Sequence, residues 1–469
     1  IFYFYLGASK MTFGPFPAAL QNAIQQNFLE RAFVEALLNV LAYREIADKE
    51  VFPGRIGDTI TKTRVGLMIP NIVPLNPNTN TNLDNGLSPQ QYSDEQYTLA
   101  VYQYPQLAPD INLIDDETTI AAFAMKNAEN LGIAQATALD RIARNALFQA
   151  YMSGNTVLTQ SLTNTVQNVD DTRGFQTVVV NGSVQPVSNT NQLPVFVNGV
   201  LNYVVAYTND ATNISSAAST GGTSGTITLA SSVTGTAGQT VIGQFAPLII
   251  RPNARTSTAA IQSTDLLNMT VILAAVSQLR NNAVPKIRGA YNLYLNSTSM
   301  NELFQDPEFQ ILNRGVSTRD PVYENAWVYE MFLDVRFIMT TETFVQLPQA
   351  SAPVAVAQTI QRPIICGAGC LVEGMFTRGL DAIKNMNSKL GVGDMQTFPT
   401  VYNVLGEEFS KQGFYMYMRP PLDRLAQIIS QSSNYIGGFT VPTDVTTNPS
   451  IIPTASNAYY KRAVIIETA

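Results

Sequence analysis

The sequence predicts an α+β chain, and three observations carry that expectation. Residues 113–154 hold a helical pattern of about 35 residues. Residues 155–252 then read as short strand-like runs with almost no charge. From 253 onward helical and strand patterns alternate to the end of the chain.

Composition bounds the functions open to such a chain. Of its 469 residues 45% are hydrophobic and only 13% charged, about half the charged share of an ordinary soluble domain. Thr, Asn, Gln, Ser and Tyr supply the polar surface instead, and such surface desolvates cheaply against other proteins. There is no His. The commonest general base, the commonest metal ligand and the Ser-His and Cys-His nucleophile systems are therefore absent together. The net charge of −7 gives no basic footprint for reading nucleic acid. No apolar run approaches the roughly 18 residues of a membrane span, so a soluble chain is expected. Ile1 in place of Met suggests a processed or longer N-terminus.

In chain order, residues 17–48 read as a helix: Pro17 suits its first turn, and Ala32, Phe33, Ala36, Leu37, Val40 and Leu41 share a face. GRIGD breaks that pattern, and Thr59 to Val65 follows as a strand. Its expected mate is Tyr97 to Tyr104, where Tyr97, Leu99 and Val101 alternate with Thr98, Ala100 and Tyr102. Pro70, Pro74, Pro77 and Pro89 forbid a continuous ladder between them, leaving a long ribbon with an irregular tip. A lone two-stranded ribbon is marginal in water, so it must lie on its own domain or on another subunit.

The long helix opens with Asp115, Asp116 and Glu117, which suit a helix N-terminus, and Gly154 is its expected stop. Leu139, Ile142, Ala143, Ala146, Leu147 and Ala150 mark its apolar face, and Ile120, Phe123 and Leu131 extend that surface upstream. Between Asn155 and Ile250 the charged residues are Asp170, Asp171, Arg173 and Asp210; NG, TN and GG turns separate the strand-like runs. Farther on, a helix is expected over Ser263 to Asn281, then strand NLYLN, a Ser/Thr cap and a short helix. DVRFIMTTE and RPIICGAGCLVEG each read as a strand, VYNVLGEEFSKQGFYMYMRPPLDRLAQIIS as further strands, and YYKRAVIIE as the closing one.

Candidate chemistry is sparse. Cys366 and Cys370 in CGAGC cannot complete a zinc site and read as small buried residues beside a Gly turn. Glu407 and Glu408 in LGEEFSKQG could pair for acid–base work, but read as an exposed turn. The sequons at Asn181, Asn213, Asn268 and Asn296 carry little meaning without a signal peptide.

This order of elements resembles the major capsid proteins of tailed bacteriophages, with the Hong Kong 97-type fold. The quoted runs that carry it are the ribbon after GRIGDTITKTR, the helix ending near YMSGN, VPKIRGAYNLYLNSTSMNELFQDPEF with DVRFIMTTE, and the YYKRAVIIE terminus. The resemblance covers most of 17–154 and 253–469. It implies an N-terminal arm (1–48), an extended hairpin loop (49–112), the spine helix of a peripheral domain (113–154), a β-rich insertion domain (155–252), an axial domain (253–400) and C-terminal peripheral-domain strands (401–469). It also implies self-assembly into hexamers and pentamers of an icosahedral shell around double-stranded DNA, with the hairpin lying across a neighbouring subunit. Portal protein, and scaffolding or decoration proteins, would be further partners; DNA would be contacted non-specifically, and no membrane is involved. The shell would assemble in the host bacterial cytoplasm and reside in the virion. Some members crosslink a hairpin Lys; Lys62 would be that residue here, although it reads as a solvated strand Lys. No catalytic, cofactor-binding or metal-binding residue is expected. The alternatives are an encapsulin-like compartment sharing the fold, or a scaffold carrying 155–252 as an adhesin.

Overall fold

In the computed structural model, the described residues are 41–52, 58–65, 67–68, 70–72, 94–112, 123–180, 183–209, 223–244, 246–316, 334–348, 356–376, 402–403, 413–419, 425, 427–442, 452–454 and 462–469. They form a mixed α+β fold of three larger sheets and a few helices.

The long helix spans Phe123–Tyr151 as described, 29 residues or roughly 43 Å. Leu131, Leu139, Ala143 and Leu147 point inward and are buried, whereas Phe123 at its start is 39% exposed. Gly154 follows at φ +77°, the left-handed backbone that lets the chain leave the helix, and its N–H donates to the Arg173 carbonyl at 2.7 Å.

Beneath the helix lies a seven-stranded sheet whose hub is Ile428–Thr440, 13 residues long. It pairs antiparallel with Phe414–Arg419, Tyr102–Leu107, Ile111–Asn112 and Leu371–Met375, and Ala47–Val51 runs parallel to the last of these. Ser433 reaches up from the hub to donate to Gln135 of the helix at 3.1 Å.

A five-stranded sheet sits beside it in the order Ile249–Ile250, Ala463–Ile466, Ile364–Cys366, Tyr291–Leu295, Val335–Met339. Tyr291–Leu295 and Val335–Met339 are parallel, joined through helices Ser297–Gln305 and Pro307–Val316. Helix Met269–Asn281 covers this sheet, burying Ile272, Ala275, Val276 and Leu279 against Leu293, Ile365 and Ile466. Asn268 and Asn296, both read as sequons, cap helices: their side-chain oxygens accept from Val271 N–H at 3.0 Å and Ser299 N–H at 2.8 Å.

Residues 155–250 supply a six-stranded antiparallel sheet, ordered 155–157, 240–243, 193–197, 200–209, 225–234, 163–169, with its own core around Val195, Val204, Ile227 and Val241. Here alternation and turn residues were enough to read strands from sequence.

Four expectations need correction. The helix expected over 17–48 does not reach 48: Tyr43–Ile46 is one 3-10 turn and Ala47–Val51 is a strand, because backbone pairing with Leu371–Met375 overrides helical periodicity; residues 17–40 lie outside the described residues. The expected strand Tyr97 to Tyr104 is two. Asp94–Ala100 pairs with Thr59–Val65, and Tyr102–Leu107 turns away onto Ile428–Thr440. RPIICGAGCLVEG is also two strands, Ile364–Cys366 in the five-stranded sheet and Leu371–Met375 in the seven-stranded one, with GAG crossing between. Finally, the strands grouped in 401–469 divide between sheets, since Ala463–Ile466 joins the five-stranded one.

Candidate functional site

The ribbon is the part of the molecule where sequence reasoning expected contact with another subunit. Its described pairing runs from Thr59↔Ala100 to Val65↔Asp94. At the root it rests on its own protomer. Leu99 is fully buried over Gly374, and a Cβ on Gly374 would fall 2.4 Å from a Leu99 methyl. Gly438 makes a still closer approach, since a Cβ there would lie 1.9 Å from the Ala100 carbonyl oxygen. The IGG of the hub strand is thus what lets the ribbon cross it. Polar contacts complete the root: Lys62 pairs with Glu50, Tyr97 donates to Glu50 at 3.0 Å, and Arg64 donates to the Gly369 carbonyl at 3.2 Å. Burial and this hydrogen bond push the Tyr97 phenol up to about 12.

Past the root, three apolar side chains among the described residues are exposed. Leu67 and Met68 are 53% and 44% exposed and Ile72 is 88% exposed. Residues 73–93 lie outside the described residues. The expectation of support from elsewhere is therefore corrected for the root, which rests on its own protomer.

The other sequence candidates do not converge on a reaction centre. Lys62 is half-buried in its pair with Glu50. Cys366 and Cys370 are both buried and free, and burial pushes the Cys366 thiol well up, which disfavours the reactive thiolate. Glu407, Glu408, Asn181 and Asn213 lie outside the described residues. Among the described residues no cluster of three His, Cys, Asp or Glu could hold a metal, and no helix is long and apolar enough to cross a membrane.

A buried polar junction was not foreseen. Residues 42–44 meet the long helix and both sheets at once. Asp140, fully buried in the helix, accepts from the N–H groups of Ala42 at 2.8 Å and Tyr43 at 3.2 Å. Tyr43 stacks on Tyr294 of the five-stranded sheet at 4.6 Å, and the Tyr294 hydroxyl donates to the Ala42 carbonyl at 3.3 Å. Arg44 turns into the seven-stranded sheet, where Glu373 receives it. Local sequence carries no signal for this, because the partners of Asp140 stand 98 and 97 residues away.

A second buried cluster closes the C-terminal strand. Glu467 accepts from Arg362 at 2.9 Å and Arg251 at 2.7 Å, and from Thr258 at 2.9 Å. Burial alone would raise its pKa, but the two guanidiniums outweigh burial and hold the carboxyl at about 2.

No family model matches this sequence, and no curated protein matches it. Solved structures do. The capsid of Ralstonia phage GP4 is 12% identical, with 90% of this chain and 87% of that chain covered at a TM-score of 0.45. The capsid of cyanophage P-SCSP1u is 10% identical, covering 92% and 88% at 0.45, and the capsid asymmetric unit of cyanophage Pam1 is 10% identical, covering 89% and 86% at 0.40. These are phage capsid structures. At such identities and TM-scores it is this chain's own geometry that bears on function.

Proposed function

We propose that this chain is the major capsid protein of a tailed phage, built on the Hong Kong 97-type fold, and that it self-assembles into an icosahedral shell around double-stranded DNA. The observation that carries the reading is the ribbon: a root locked onto its own protomer, and beyond it Leu67, Met68 and Ile72 presented to solvent. Bare apolar side chains on a limb with a fixed root are suited to burial against another copy. The charge-poor surface supports repeated protein–protein contact, and a net charge of −7 supports only weak, non-specific contact with DNA.

In this reading the long helix and seven-stranded sheet form the peripheral domain. The five-stranded sheet with its helices forms the axial domain, now including the C-terminal strand, and 155–252 is the inserted domain. Residues 1–48 would be the arm. Portal, scaffolding or decoration proteins would be partners in the virion. The role is structural rather than enzymatic. The test is negative-stain microscopy of the expressed chain with nucleic-acid analysis of any particles: closed shells support the reading, and protein cargo in place of DNA would point to a nanocompartment.

A further inference from the structure

We propose that Asp140 is a proton-sensitive latch that holds residues 42–44 against the long helix. The geometry is unusual for a carboxylate. It is fully buried, and what faces it is a row of backbone N–H groups, those of Ala42, Tyr43 and Arg44, rather than a cation. The neighbouring charges are committed elsewhere. Arg141 and Arg144 of its own helix engage Glu342, at 2.7 Å and 3.8 Å, and Arg44 engages Glu373. Among the described residues, Glu342, from the turn leading into Phe344–Gln346, adds negative potential, and the Tyr43 phenol is a further titratable group close by.

Amide dipoles stabilise the carboxylate, yet burial outweighs them and lifts its pKa to about 6. Opening the contact would return the group to water and to a carboxylate's ordinary value. The closed state therefore binds the proton more tightly than the open one. Closure is favoured in acid, and opening becomes easier as pH rises from about 4 through 6, levelling off near 7. Loosening 42–44 would also release the Tyr43–Tyr294 stack and the seat of Arg44, so one proton is coupled to the contact between the helix and both sheets.

The test is backbone amide exchange at residues 42–44 in the full chain between pH 4.5 and 7.5, corrected for the intrinsic rate. Protection should fall by tens of fold, ~100-fold at most, as pH rises across the window. Asp140→Asn, which keeps shape but cannot titrate, should flatten that profile. Glu342→Gln keeps the carboxylate and removes its negative neighbour, so it should move the midpoint toward acid. It also carries the test should the Asn variant fail to fold. A flat profile in the unaltered chain, an undiminished step in Asp140→Asn, or a midpoint unmoved by Glu342→Gln would each overturn the proposal.

Discussion

Arg44 and Glu373 close on each other inside the protein, with the Arg44 Nε 2.9 Å from both carboxylate oxygens and the side chains 5% and 0% exposed. The Tyr435 hydroxyl donates to the same carboxylate at 2.6 Å, and the guanidinium lies 4.7 Å from the Phe414 ring centroid. Both charges are thus answered by protein groups away from water. Removing one partner then strands a charge, which typically costs ~3–5 kcal/mol, whereas replacing both with apolar groups costs far less. Arg44→Met should lower stability by that amount in urea unfolding, and Arg44→Met with Glu373→Leu should recover much of it. Simple addition of the two single effects would show that the pair is not coupled.

The ribbon root depends on two glycines with no room for a methyl. Gly438→Ala would press a Cβ onto the Ala100 carbonyl, a backbone atom that cannot rotate away. A drop of ~2–4 kcal/mol is expected, as for other overpacked sites. Gly199→Ala is the control. Gly199 has φ +81° but nothing within 4 Å, so only backbone strain of ~1 kcal/mol applies. Equal melting shifts for the two variants would remove the close-approach explanation.

Acid should act through Glu467. Its folded pKa is depressed to about 2, so its contribution is fully present above the ordinary carboxylate value and is lost as pH falls toward 2. Between those limits the unfolded chain takes up the proton first, and stability falls. Comparing urea midpoints at pH 5 and pH 3 should show a larger loss for the unaltered chain than for Glu467→Gln. Equal losses would place the acid sensitivity elsewhere.

Ile72 is 88% exposed, so Ile72→Asp should leave protomer stability within ~0.5 kcal/mol while sharply reducing assembly. Chemical denaturation of the protomer and light scattering under assembly conditions measure the two effects separately. A destabilised protomer, or undiminished assembly, would deny Ile72 a role between copies.

What sequence could and could not show follows from where the partners lie. The long helix was legible because its apolar repeat is local, and its stop was legible because Gly154 needs a positive φ. The hub strand was read only in part. IISQSSNYIGGFT does alternate, burying Ile429, Gln431, Ser433 and Tyr435, but two of those inward residues are polar and mask the pattern. ADKEV at 47–51 opens with the last two residues of the helix expected over 17–48, and only its pairing with LVEGM, more than three hundred residues on, makes it a strand. The division of CGAGC between two sheets, and the Asp140 junction, are likewise contacts between distant segments. Residues 1–40 and 377–401 carry expectations that lie outside the described residues.

The central claim is that the ribbon beyond Val65 finds its apolar cover on another copy of the chain. Electron microscopy of the purified chain beside a variant in which a short turn replaces residues 66–93 tests this most directly. Closed shells from the full chain, with a folded but unassembled protomer from the variant, are the predicted result. Shells of the same form from both, or a full chain that stays monomeric across salt and pH, would contradict it.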